Sequence, residues 1–235
     1  MTEQNLIERL NFKEDDVFLD GKVIFSVPHR PAKSGINLLG VPENGRTVYV
    51  GSGQCCYGPI TILKSHSQES EEPNFQLDAM RMPDFNVYDI IPASVDHKKT
   101  GFANEGAILT TGYGCAGSGV RLIDTYNPKT IEVVSGEEFQ EMWNSRVQNW
   151  VMPRLNVNEQ EGRITLDLLR SGYRLKAGKS RDPNLPSILL DSNAQEWYVS
   201  QDVWASKDLT PVLNEIGVDV EKTIEANRGY TRIRH

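Results

Sequence analysis

Short apolar runs that meet across glycine-rich bends recur along this chain, and they limit it to folds built largely from hairpins. Two of these bends also hold all three cysteines. The first reads Gly51-Ser52-Gly53-Gln54-Cys55-Cys56-Tyr57-Gly58-Pro59 and lies between Val48-Tyr49-Val50 and Ile60-Thr61-Ile62-Leu63. The second reads Gly112-Tyr113-Gly114-Cys115-Ala116-Gly117-Ser118-Gly119, between Ile108-Leu109-Thr110 and Val120-Arg121-Leu122-Ile123. Glycine serves where a backbone needs positive φ or close approach by another group. Two such loops are therefore candidate walls of one cleft, with Cys55, Cys56, Tyr57, Tyr113, Cys115 and Ser118 along its rim. They superpose in two competing registers, so similar geometry without duplication is the expectation.

Other hairpin signals extend the pattern. Asp20-Gly21, a favoured pair for a tight turn, separates Val17-Phe18-Leu19 from Lys22-Val23-Ile24-Phe25. Ile188-Leu189-Leu190 and Trp197-Tyr198-Val199 form another candidate pair, and Ile164, Leu166 and Leu168 alternate as a half-buried strand requires. Val87, Tyr88, Ile90 and Ile91, and then Ile131 to Val134, add further strands.

Helical signals are fewer. Ser135 with Glu138 makes a capping box, and Phe139, Met142, Trp143, Val147, Trp150 and Val151 follow at helical spacing. This predicts one strong amphipathic helix over about 136–152, ended by Pro153 and packed across a sheet. A short opening helix from Thr2 uses Leu6, Ile7 and Leu10, and Thr210-Pro211 to Gly217 with Val220 to Asn227 predicts a helical C-terminal segment. Strands and helices do not alternate regularly, which argues against a doubly wound parallel sheet. The expected class is α+β, mainly antiparallel, in one domain over 1–235. The alternative divides it near residue 135 into a β-rich part (1–134) and an α+β part (135–235).

Hydrophobic content of 38% and charged content of 24% predict a folded, soluble protein. No stretch approaches the ~20 apolar residues a spanning helix needs, and the first ten residues carry acids where a signal peptide carries bases. An odd number of cysteines makes no disulfide framework, so a reduced, cytoplasmic setting is expected without membrane association. The net charge of −7, from 25 basic and 32 acidic residues, disfavours nucleic acid. The one basic cluster, Arg228, Arg232, Arg234 and His235 around Tyr230, reads as a solvated tail, or alternatively as an arm for an acidic partner or RNA.

Cysteine chemistry needs a thiolate, and neither loop contains a Lys, Arg or His to favour one. An activator must come from elsewhere in the fold: His29, His66 or His97. Cys115 is the first candidate nucleophile, with His97 or His66 as its base and Cys55 as the second candidate. Asp96 precedes His97, but adjacent side chains of an extended segment point apart. The spacings supply neither a zinc site nor a phosphate-binding loop, so no metal or cofactor is expected. The function expected is a ligand-binding or catalytic cleft shaped by the two loops, in its most concrete form a cysteine-dependent hydrolase or transferase. The alternative is a non-enzymatic assembly or interaction component, such as a structural or host-interaction protein. Whether it is an enzyme, whether its partner is a small molecule or a protein, and whether it forms a homo-oligomer stay open.

Overall fold

The computed structural model describes residues 3–28, 35–43, 45–53, 58–67, 72–83, 86–103, 106–114, 117–144, 152–169, 175–177, 188–191, 196–199 and 206–234. After α1 (Glu3–Arg9), the first small sheet is β1 (Leu10–Lys13), β2 (Asp16–Leu19) and β3 (Lys22–Ser26). Asp20 and Gly21 both take positive φ in the β2–β3 turn, the conformation whose twist matches its strands. A five-stranded sheet follows, from β4 (Gly35–Val41), β5 (Thr47–Gly53), β6 (Ile60–Ser65) and β7 (Phe75–Arg81). The next sheet has four strands: β8 (Asn86–Pro92), β9 (Ala107–Gly114), β10 (Gly117–Asp124) and β11 (Thr130–Val134), with α2 (His97–Thr100) between the first two.

Beyond α3 (Gly136–Asn144), β12 (Met152–Asn158) and β13 (Arg163–Leu169) pair as a hairpin. β14 (Leu175–Ala177), β15 (Ile188–Asp191) and β16 (Glu196–Val199) make a further small sheet, and β17 (Ser206–Asp208) adds to β13. Helices α4 (Thr210–Ile216) and α5 (Val220–Ala226) precede β18 (Thr231–Arg234). This last strand returns across the molecule and pairs antiparallel with β4, completing the order β18-β4-β5-β6-β7.

The layers explain the apolar runs. Alternate residues of β4 and β5 (Leu39, Val41, Val48, Val50) face α1 and the first sheet in one core, with Leu10 and Val17. Their neighbours face β8 to β10 in a second cluster of Leu38, Ile60, Val87, Ile90, Ile108 and Ile123. The far face of β9 and β10 meets α3, β12, β13, α4 and α5 in a third, through Leu109, Leu122, Phe139, Leu155, Ile164 and Leu213. The inner strands of both central sheets are thus covered on both faces, which is why Val48 to Val50, Ile60 to Leu63 and Ile108 to Leu109 read as apolar runs. The third core takes residues from both sides of position 135.

Three expectations are corrected. The fold is mostly antiparallel β-sheet, in several small sheets with only short helices, and not α+β. No strong amphipathic helix spans 136–152: α3 is nine residues long, and Met152 and Pro153 already belong to β12. The cap is present, with Ser135 Oγ accepting from the Glu138 amide at 3.0 Å, and Phe139 is buried. Pairing of β12 with the alternating strand β13 outweighs the helical spacing at the C-terminal end of that stretch. Val147, Trp150 and Val151 lie outside the described residues. Nor are Arg232 and Arg234 part of a solvated tail, because both lie on β18, the edge strand that pairs with β4.

Candidate functional site at the loop end of the paired sheets

The described stems of the two cysteine loops rise from the same end of the central sheets. β5 ends at Gly53, where Gly35 pairs with it, and Asn37 on β4 donates from Nδ2 to the Val87 carbonyl at 3.3 Å. Val87 in turn pairs with Gly112 and Asn86 with Tyr113, on the stem of the second loop. The two sheets approach closely at Gly51: a Cβ there would sit 3.1 Å from Val87 Cγ1 and 3.4 Å from Ile90 Cδ1, both on β8. The first stem closes on Ser52, whose Oγ and backbone amide both donate to the Pro59 carbonyl, at 3.0 and 3.2 Å. Gly58 crosses directly over Ser52, and a Cβ at that position would overlap the Ser52 carbonyl oxygen. The glycines of the first loop therefore answer to close packing.

Two buried polar atoms without a hydrogen-bond partner lie at this end: Arg81 Nε and Asn86 Oδ1. Arg81 ends β7 opposite Ile60, which opens β6 just after the first loop. Asn86 opens β8 beside Tyr113. Burying an unpaired amide oxygen or guanidinium nitrogen is unfavourable by ~1–3 kcal/mol, and such orphans gather where a partner group is to be met.

The three cysteines and Tyr57 lie outside the described residues. Tyr113 and Ser118 pair in register, one position inside the Gly114–Gly117 pair that closes β9 and opens β10. His97 is elsewhere. Ala93 donates its amide to the Ala107 carbonyl, which places the segment leading to His97 at the start of β9, whereas Cys115 follows the end of that strand. The eight residues of β9 span roughly 25 Å. Asp96 caps α2 by accepting from the Lys98 and Lys99 amides, at 2.9 and 3.3 Å. His97 instead lines a separate cavity of about 270 Å³ with Ser94, Gly106 and Ala226, and its Nδ1 is buried without a partner.

His66 follows the far end of β6 and is also distant from the loops. That end of the sheets carries a different cluster. Lys64 Nζ donates to Tyr126 Oη at 2.8 Å, and Tyr126 Oη donates to Asp78 Oδ2 at 2.5 Å. Burial pushes the Tyr126 hydroxyl up and the Asp78 carboxylate adds to it, against Lys64, so it is poorly suited to proton transfer near neutrality. The sequence also offers His29 as an activator. It lies outside the described residues, in the connection that leads into Gly35.

Sequence reasoning missed Asp89, Arg81 and Asn86. Asp89 was legible as the one charge inside the run Val87-Tyr88-Asp89-Ile90-Ile91, and it is buried. No group of three or more His, Cys, Asp and Glu able to hold a metal occurs among the described residues. Among those residues, no helix is long and apolar enough to cross a membrane. Compared with protein-family models, curated proteins and solved structures, the chain matches none.

Proposed function

We propose that the protein is a ligand-binding protein whose site is the loop end of the paired sheets, with the two glycine-cysteine loops as its walls. The observation that supports this most is the chain of contacts from Gly53 through Asn37 and Val87 to Gly112, which sets both loop stems at one end. Loops carried by a rigid scaffold are a common place for recognition, and the unpartnered Arg81 Nε and Asn86 Oδ1 give this end polar groups to offer. The ligand is a small molecule or peptide segment able to accept from the guanidinium and donate to the amide oxygen.

Catalysis by a Cys115–His97 pair gains no support, since the strand between them separates their segments.

Titration of isotope-labelled protein with a library of small polar fragments tests the reading. Amide shifts are expected to cluster at Gly51–Gly53, Asn86 and Gly112–Gly114. Shifts confined to other surfaces would overturn it. Iodoacetamide separates binding from thiol catalysis: the binding reading expects each cysteine to react no faster than free cysteine near neutral pH.

A further inference from the structure

Asp89 is fully buried at the middle of β8, at a bulge between Val87 and Asp89 that re-aims the strand's side chains. Its carboxylate accepts from the Leu155 amide at 2.8 Å, from the Ile90 amide at 3.0 Å and from Arg232 Nε at 2.8 Å. Arg234 Nη2 also stands at ion-pair distance, 3.0 Å, but out of line for a hydrogen bond, so this nitrogen is buried without an acceptor. A single guanidinium would neutralise the carboxylate, and here two approach it from one strand.

A third arginine joins them. Arg154 precedes Leu155 on β12, and its charge acts on Arg234: burial, then Arg154 and Arg232, hold the Arg234 guanidinium below its usual range against the pull of Asp89. Arg154 Nε is buried with no acceptor, and among the described residues its side chain makes no hydrogen bond or ion pair. Asp167, opposite Arg154 in register, accepts from Thr165 Oγ1 at 3.3 Å and forms no ion pair with it. Two guanidiniums thus meet one carboxylate, and a third belongs to the residue preceding Leu155, whose amide the same carboxylate binds, with two buried N–H-bearing nitrogens left over.

We propose that this cluster is an oxyanion site, in which Arg154 and Arg234 hold the phosphate or carboxylate group of a small molecule. The planar fork of a guanidinium matches either group with paired N–H donors. The net charge of −7 disfavours an extended polyanion and leaves a single anionic group as the fitting occupant. The site is built from β8, β12 and β18 and does not rest on the loop-end reading.

Calorimetric titrations with inorganic phosphate and with acetate, in chloride buffer at constant ionic strength, test it. Saturable binding of at least one anion is expected, and the tighter of the two identifies the group. Arg154→Gln is expected to weaken that binding by about tenfold or more while leaving the urea midpoint near that of the natural chain. If this variant does not fold, Arg154→Lys serves instead, keeping the charge, losing the fork and binding more weakly. Absence of saturable binding by either anion, or a folded Arg154 variant that binds like the natural chain, would overturn the proposal. Fragment shifts absent from the loop end would leave this result standing, so the two failures are distinguishable.

Discussion

Arg232 Nε on the last strand donates to Asp89 Oδ1 at 2.8 Å, across 143 residues of chain. Arg232 also donates from Nη2 to the Leu155 carbonyl at 3.2 Å, and Arg234 donates from Nη1 to the Tyr88 carbonyl at 2.7 Å. The pair therefore fastens β18 to β8 and β12 while main-chain pairing fastens it to β4. Removing one partner of such a buried pair typically costs about 3–5 kcal/mol. Asp89→Ala is expected to lower the stability measured by urea denaturation by about 3 kcal/mol. Replacing Asp89, Arg232 and Arg234 together by Leu, Met and Met should recover part of that loss. A triple variant less stable than the single one would count against this reading of the pair.

Tyr230 depends on a missing side chain. Its hydroxyl donates to the Ile90 carbonyl at 2.9 Å, and its ring passes over Gly40 so closely that a Cβ there would overlap Tyr230 Oη. Gly40→Ala should destabilise by about 1–3 kcal/mol through overpacking. In a Tyr230→Ala background the same change should cost much less, giving a measurable coupling between the two positions. Additive effects would show that the contact is not the cause.

Asp124 sets a prediction at low pH. Burial pushes its carboxyl up, but the amides of Ala103, Tyr126 and Asn127 and the Asn127 side chain together hold it below the usual carboxylate range. With the folded value below the unfolded one of about 3.9, its contribution is present above roughly pH 4 and is lost as pH falls through the folded value. The urea midpoint should drop below pH ~4, and Asp124→Asn should be less stable near neutrality but show a shallower drop. Parallel acid profiles for the two proteins would contradict this.

Tyr49 gives the alkaline counterpart. Burial pushes its hydroxyl up to about 12, with Lys64 opposing. A phenol raised above its unfolded value of about 10 contributes stability below that pH and loses it as pH rises through the folded value. Stability should decline between pH ~10 and ~12, and less steeply in Tyr49→Phe. Ultraviolet titration of phenolate formation at each pH checks the assignment.

The hairpins were legible because their turns carry their own chemistry: Asp20-Gly21 fixes β2–β3 without help from the rest of the fold. The end of α3 was not. Its cap at Ser135 is local, but β12 begins where β13 offers a pairing partner, and a helical period cannot report that. Arg232 and Arg234 read as a tail because their partner Asp89 lies far away in sequence, so charge pattern alone gave no reason for burial. The loops were located by glycine spacing. Their shared end, and the placing of His66 and His97 away from it, follow from how the two sheets face each other across Leu38, Ile60, Val87 and Ile108.

That shared end is the central claim, and paired spin labels test it most directly. In a Cys56→Ser background, labels at Cys55 and Cys115 report the separation of the two loops. In a Cys55→Ser, Cys56→Ser, His97→Cys background, labels at Cys115 and position 97 report the length of β9. The first distance is expected to be the shorter, and the reverse order would contradict a single site built from both loops.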